Sequence, residues 1–224
     1  MRKESVKYFD YNEDGDISDA DRMNVGKAIP DFYGGITSNF SYKGFDLSLF
    51  GQFSVGGKVM SAWRGVNGSE GTDHLGLALS NVKVNDRGES VEQYFNVSKE
   101  VANGYWRGEG TSNTIPRPVR IGVHTGYDYD YNVQTSTRYL EDASYFKLKT
   151  VTLGYTLPES VVKKLRVNSL RVYVSADNLL TLTKYSGYDP ETSFSGSPGD
   201  SNYGVDFGLQ PVLRTFIFGL NLNF

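Results

Sequence analysis

Thr215-Phe216-Ile217-Phe218-Gly219-Leu220-Asn221-Leu222-Asn223-Phe224 ends the chain and decides its fold class. Phe216, Phe218, Leu220, Leu222 and Phe224 alternate with Ile217, Gly219, Asn221 and Asn223. A period of two belongs to a β-strand with unlike faces. The alternation runs for nine residues, and a tilted strand needs about 9–11 to cross the hydrocarbon of a bilayer.

The same pattern recurs upstream. Ile36, Phe40 and Tyr42 share one face and Thr37, Asn39 and Ser41 the other; Lys43-Gly44 then reads as a two-residue turn. Beyond it Phe45, Leu47, Leu49 and Phe53 alternate with Asp46, Ser48 and Gln52, so turn and pattern place both apolar sets on one side. Phe146 and Leu148 alternate with Tyr145 and Lys147, then Val151, Leu153, Tyr155 and Leu157 with Thr152, Gly154 and Thr156. The phase slips near Lys149–Thr150, which predicts a β-bulge. Leu170, Val172, Val174 and Ala176 alternate with Arg171, Tyr173, Ser175 and Asp177. Five strands follow, near 34–43, 44–54, 143–157, 169–182 and 212–224, with one short helical turn from Pro158 to Leu165.

Composition agrees with an all-β chain. Its 224 residues include 25 Gly, 16 Tyr and 13 Phe, no Cys and two His, with a formal net charge of −3. Lack of Cys excludes disulfides and thiolate chemistry, and no basic stripe suggests nucleic acid. Met1 to Ser5 carries no apolar signal region, so the expectation is a tail of a longer protein.

The connections are expected to alternate tight (43–44), long (about 56–138), short (158–168) and long (about 184–210). Membrane barrels have short turns on one side and long loops on the other. Five strands cannot close such a barrel, whose smallest members have eight, and open edges are prohibitive in lipid. The expected fold is therefore an antiparallel transmembrane β-barrel portion with long extracellular loops: residues 34–224 form its wall, and 1–33 an extracellular loop. An aromatic-ended last strand also looks like the C-terminal insertion signal of outer-membrane barrels, here Phe216, Phe218, Leu220, Leu222 and Phe224.

Tyr42-Lys43-Gly44-Phe45-Asp46-Leu47-Ser48, Arg138-Tyr139-Leu140-Glu141-Asp142-Ala143-Ser144-Tyr145 and Leu148-Lys149-Thr150-Val151-Thr152-Leu153-Gly154-Tyr155 go further. With Leu170-Arg171-Val172-Tyr173-Val174-Ser175-Ala176-Asp177-Asn178-Leu179, Tyr185-Ser186-Gly187-Tyr188-Asp189-Pro190-Glu191 and Arg214-Thr215-Phe216 through Phe224, the chain resembles the C-terminal end of SusC/RagA-type TonB-linked outer-membrane transporters. The resemblance implies about five C-terminal strands of a 22-stranded barrel that is not an enzyme. It implies uptake of glycans, or alternatively peptides, in the outer membrane of a Bacteroidetes-like Gram-negative bacterium. The implied partners are outer-membrane lipid, a SusD-like surface lipoprotein, the barrel assembly machinery, and the TonB complex through an N-terminal part absent here.

Asp10, Asn12, Asp14, Asp16, Ser18 and Asp21 occupy the oxygen positions of a calcium loop, with Gly15 at its sharp turn. The competing reading is a solvated acidic turn. Position 12 holds Asp21, a shorter arm than the usual Glu. Tyr105, Trp106 and Arg107 offer faces for sugar stacking, or else loop packing. His74 and His124 have no ligand spacing, Gly57-Lys58 is no phosphate loop, and no carboxylate pair is singled out for glycoside hydrolysis. Asp46, Lys147, Arg171 and Asp177 are expected to face the barrel interior. The rival expectation is a soluble, calcium-bearing β-sandwich that binds carbohydrate.

Overall fold

The computed structural model describes residues 7–62, 64, 78–84, 87–94, 98–121, 136–191, 203–208 and 210–224. Their strands are β1 (Phe32–Tyr42), β2 (Phe45–Val55), β3 (Lys58–Ser61), β4 (Ala78–Val84), β5 (Ser90–Tyr94), β6 (Val119–Ile121), β7 (Leu140–Asp142), β8 (Tyr145–Thr156), β9 (Ser169–Thr183), β10 (Val205–Asp206) and β11 (Thr215–Asn223). Two helices, α1 (Lys99–Gly104) and α2 (Glu159–Val162), are short. By contact the chain divides into two units, and the division falls within β3, β7 and β10.

Lys27–Val59, Glu141–Val205 and Leu209–Phe224 make up one unit. It is an antiparallel five-stranded sheet in the order β1-β2-β8-β9-β11. Lys43 and Gly44 close the first hairpin with φ of +44° and +88°, the positive pair a type I′ turn demands, and Tyr42 pairs with Phe45. A Cβ on Gly44 would also lie 2.7 Å from the Thr156 carbonyl, so glycine is doubly required there.

Register carries the alternation across all five strands. Phe40, Leu47, Leu153, Val174 and Phe218 stand in one cross-sheet row, and Tyr42, Phe45, Tyr155, Val172 and Leu220 in the next. On the opposite face Asn39, Ser48, Thr152, Ser175 and Ile217 form a row. The predicted bulge is present: Phe50 pairs with Thr150 and Gly51 with Leu148, which skips Lys149. Against β9 the pairing jumps from Leu148–Leu180 to Thr150–Asp177, where Asn178 takes φ +53°. The extra residue returns Phe146 and Leu148 to the face of Val151, Leu153 and Tyr155.

The apolar face is exposed. Phe218 is 82 % accessible, Tyr42 70 % and Phe40 59 %. Among the described residues this unit buries a small cluster of Val59, Ala143 and Tyr185, with Tyr145, Val162 and Ala176 buried besides. A continuous apolar face of this extent is unstable in water and suits hydrocarbon. It is the reverse of a sandwich, whose apolar strand faces would be buried against a second sheet.

Met1–Gly26, Met60–Leu140 and Asp206–Gly208 make up the other unit. Within the stretch read from sequence as loop, β4 pairs antiparallel with β5 and parallel with β6. Ser98 caps α1 by accepting the Val101 N–H at 3.2 Å, and Val101 is buried. β4 (Ala-Leu-Ser-Asn-Val-Lys-Val) has no clean alternation, which is why periodicity missed it. His74 and His124 lie outside the described residues.

Candidate functional site

The polar face of the five-stranded sheet holds two ionic centres. Arg171 on β9 donates from Nε and Nη2 to Asp46 on β2, at 2.9 and 2.5 Å. The fork spans the intervening strand at Gly154, where a Cβ would collide with both charged groups. Tyr173 lies over Gly219 in the same manner, and the Arg171 guanidinium sits 5.0 Å from the Tyr173 ring. Thr150 donates to Asp177 at 3.0 Å, and the hydroxyls of Thr152 and Ser175 are 2.8 Å apart. The four residues expected inside are thus engaged on this face, Lys147 in the second centre.

That centre lies at the bulge. Lys147 Nζ is 2.5 Å from Asp189 and 2.8 Å from Glu191, while Lys149 reaches Glu191 at 2.5 Å. Lys147 and Asp189 keep only 2 % and 8 % of their side-chain surface exposed. Burial raises the Glu191 pKa, but hydrogen bonds from Lys147 and Lys149 outweigh it and hold the carboxyl below its ordinary value. Two cations and two anions cancel, the arrangement buried charge requires. The segment after β9 is tied further where Ser186 donates its N–H and hydroxyl to Glu141, each at 2.8 Å. Sequence reading had Lys147 but neither carboxylate partner. The only sequence signal was a basic pair, Lys147 and Lys149, with acids Asp189 and Glu191 at the same spacing.

In the loop of Asp10 to Asp21, Asp10 Oδ2 accepts the Gly15 N–H at 2.8 Å, and its Oδ1 is buried with no partner. Glu13 and Gly15 take φ of +59° and +89°. Asn12 accepts from Asp14 N–H at 3.2 Å and Asp14 from Asp16 N–H at 2.9 Å. Ser18 and Asp21 form a capping box on the turn Asp19–Asp21. Asp21 accepts the N–H groups of Ser18 (2.7 Å) and Tyr11 (2.9 Å), which lower its carboxyl pKa, Ser18 foremost. Among the described residues, no three His, Asp or Glu side chains converge as a ready-made metal cage.

The Tyr105-Trp106-Arg107 turn follows α1. Tyr105 bridges Ile115, and Trp106 N–H donates to the Ile115 carbonyl at 3.0 Å. Arg107 lies 4.7 Å from the Tyr105 ring centroid and donates to the Ala102 carbonyl at 2.8 Å. Thr111 Oγ1 receives the Arg107 and Gly108 N–H groups. Arg107 therefore stiffens the turn and covers one face of Tyr105, while Trp106 stays half-buried.

Comparison with known proteins locates these features. The chain is 34 % identical over 221 residues to TonB-dependent receptor P3 of Formosa agariphila, covering 97 % of this chain and 19 % of that protein. TonB-dependent receptor SusC of Bacteroides thetaiotaomicron is 26 % identical over 97 % of the chain and 17 % of its own length. Along nearly its whole length the chain is similar to TonB-dependent receptors. It spans about a fifth of the length of these relatives. The sheet also superposes on a solved RagAB peptide transporter with TM-score 0.62 at 24 % identity, over 89 % of this chain and 18 % of that one. A RagAB structure in the closed-closed state gives 0.59 at 22 % identity, over 90 % and 18 %. No protein-family model matches the chain. The fold is that of a barrel-wall portion, which accounts for a sheet with an exposed apolar face and two outer strands.

Proposed function

We propose that this chain supplies wall and loops to an energy-coupled outer-membrane transporter that imports glycans beneath a SusD-like surface lipoprotein. It is a transport role, with no catalytic residues of its own. One observation carries the reading: five consecutive registered strands present apolar rows outward and charge-balanced polar groups on the other face. Water disfavours the first and hydrocarbon the second, whereas a bilayer outside and an aqueous lumen inside suit both. The rings of Tyr105 and Trp106 make the glycan reading preferable to the peptide one, since ring faces suit the apolar faces of sugars. TonB would act through the part of the parent absent from this chain, and the barrel assembly machinery would insert it. Deleting the parent gene should abolish uptake of a labelled oligosaccharide by whole cells; undiminished uptake, with peptide uptake lost instead, would reverse the substrate assignment.

A second reading concerns the loop of Asp10 to Asp21, which we propose closes around calcium. It is favoured by Asp10, whose Oδ2 holds the Gly15 N–H while Oδ1 stays buried without a partner. A bound cation would take up that oxygen, with Asn12, Asp14, Asp16, Ser18 and Asp21 supplying the remaining oxygens. Terbium luminescence on the parent, with and without Asp10→Ala, tests it. Equal signals in the two would remove calcium from the account.

A further inference from the structure

At one end of the five-stranded sheet the connections are the tight turn at 43–44 and the short segment 157–168. Gly44 O accepts the Thr156 N–H at 2.8 Å, Leu170 O the Leu157 N–H at 2.9 Å, and Asn223 O the Asn168 N–H at 2.8 Å. The segments meeting there, residues 41–46, 156–171 and 219–224, contain five basic side chains and two acidic ones. Both acids are engaged: Asp46 holds Arg171, and Glu159 holds Lys163 at 2.9 Å. Lys43, Lys164 and Arg166 are left exposed, with no acidic partner among the described residues.

The charge stands beside aromatic rings. Tyr42, Phe45 and Tyr155 occupy the last apolar row before these turns. The Phe45 and Tyr155 rings lie 4.5 Å apart, and Lys43 Nζ is 5.2 Å from the Tyr42 ring centroid. At the other end Lys27 pairs with Asp31, Lys147 and Lys149 pair with Asp189 and Glu191, and Lys184 acts on Asp142, while Arg214 has no ion pair among the described residues. Among the described residues the larger surplus therefore lies at this rim.

We propose that this rim docks anionic phospholipid headgroups, such as phosphatidylglycerol, in the leaflet at the tight-turn end. The inference rests on the barrel-wall reading and goes beyond it, because an apolar face alone selects hydrocarbon but no headgroup. Lys43 closes the β1–β2 turn and Lys164 and Arg166 lie between β8 and β9, so the charges are spread along the rim by about 10 Å at the spacing of strands. A line of cations beside an aromatic row matches a sheet of headgroups better than a single soluble anion in a pocket. Each basic residue at an anionic surface strengthens attraction by about fivefold, and salt screens it within about 10 Å.

The test uses the full-length parent in nanodiscs of equal parts phosphatidylcholine and phosphatidylglycerol, with p-benzoylphenylalanine replacing Tyr42. Illumination followed by mass spectrometry reads which lipid is captured. Phosphatidylglycerol adducts should exceed phosphatidylcholine adducts by at least about fivefold. K43Q/K164Q/R166Q should bring the ratio near one, and added salt should do the same to the unaltered rim, which keeps the test valid if the triple variant assembles poorly. The same probe replacing Leu182, on the apolar face at the other end, should show no preference. Equal capture at Tyr42 with normal capture at Leu182, or a preference that survives both charge removal and salt, overturns the headgroup assignment and leaves the wall reading standing. No lipid adduct at either position overturns the wall reading itself.

Discussion

Replacing Lys147 with Met tests the ionic centre at the bulge. Met fills much of the volume of the Lys stem but removes the charge facing Asp189, whose side chain is 8 % exposed. Glu191 keeps Lys149 at 2.5 Å, while Asp189 loses the Lys147 ion pair and keeps the Glu191 N–H at 2.9 Å. Removing one member of a buried pair costs about 3–5 kcal/mol, because an uncompensated charge stays behind. At 1.4 kcal/mol per factor of ten, that raises local opening of the segment from Tyr185 to Glu191 by roughly 10² to 4 × 10³. Hydrogen exchange on the parent in a bilayer reads the opening directly. The Ser186 and Glu191 amides, bonded to Glu141 and Asp189, should exchange faster by that factor while β8 and β9 keep their protection. Lys147→Met with Asp189→Leu should restore slow exchange, since an apolar pair of similar volume leaves no orphan charge. Acceleration of less than about tenfold in the single variant, or failure of the double to recover, would refute the reasoning.

Gly154→Val should sever the Arg171–Asp46 fork, since a Cβ at Gly154 already meets both charged groups, and should lower stability. It would be read as a lowered midpoint of heat-modifiable gel migration; an unchanged midpoint would mean the fork contributes nothing. Asp142 is held below its ordinary pKa by the Ser144 hydroxyl and then the Ser144 N–H. A depressed carboxylate stabilises above its unfolded pKa and loses that contribution as pH falls through the folded one, so protection factors at Ser144 should fall in acid. Asp142→Asn should flatten this dependence; a variant as pH-sensitive as the original would locate the titration elsewhere. Phe224→Glu in the parent should abolish membrane assembly, and normal outer-membrane yield would count against the last strand as an insertion signal.

Strand positions were legible because alternation is a local property. The hairpin came from Lys43-Gly44, and the bulge from the phase slip at Lys149–Thr150, both confirmed in the pairing. Partner choice was less accessible. Asp46 and Arg171 are 125 residues apart, and their meeting depends on β8 lying between them with a glycine at the crossing. Asp189 and Glu191 needed the path of the chain after β9, which no periodicity encodes. β5 and β6, of five and three residues, are too short for a period of two to rise above chance. In the loop of Asp10 to Asp21 the spacing was plain, but spacing does not say that Asp21 already serves the backbone of Tyr11 and Ser18.

The pairing of β2 with β8 bears on how such a protein changes over evolutionary time. The two strands are ten paired positions long, yet the chain between them runs from Val55 to Tyr145. Closing a span already that long costs little more when it lengthens, about 0.6 kcal/mol per doubling. A single residue added within β8 away from the bulge would instead turn every later side chain to the wrong face. New recognition surfaces can therefore be tried in the long excursion at almost constant stability, while the strands on either side tolerate almost no drift in length.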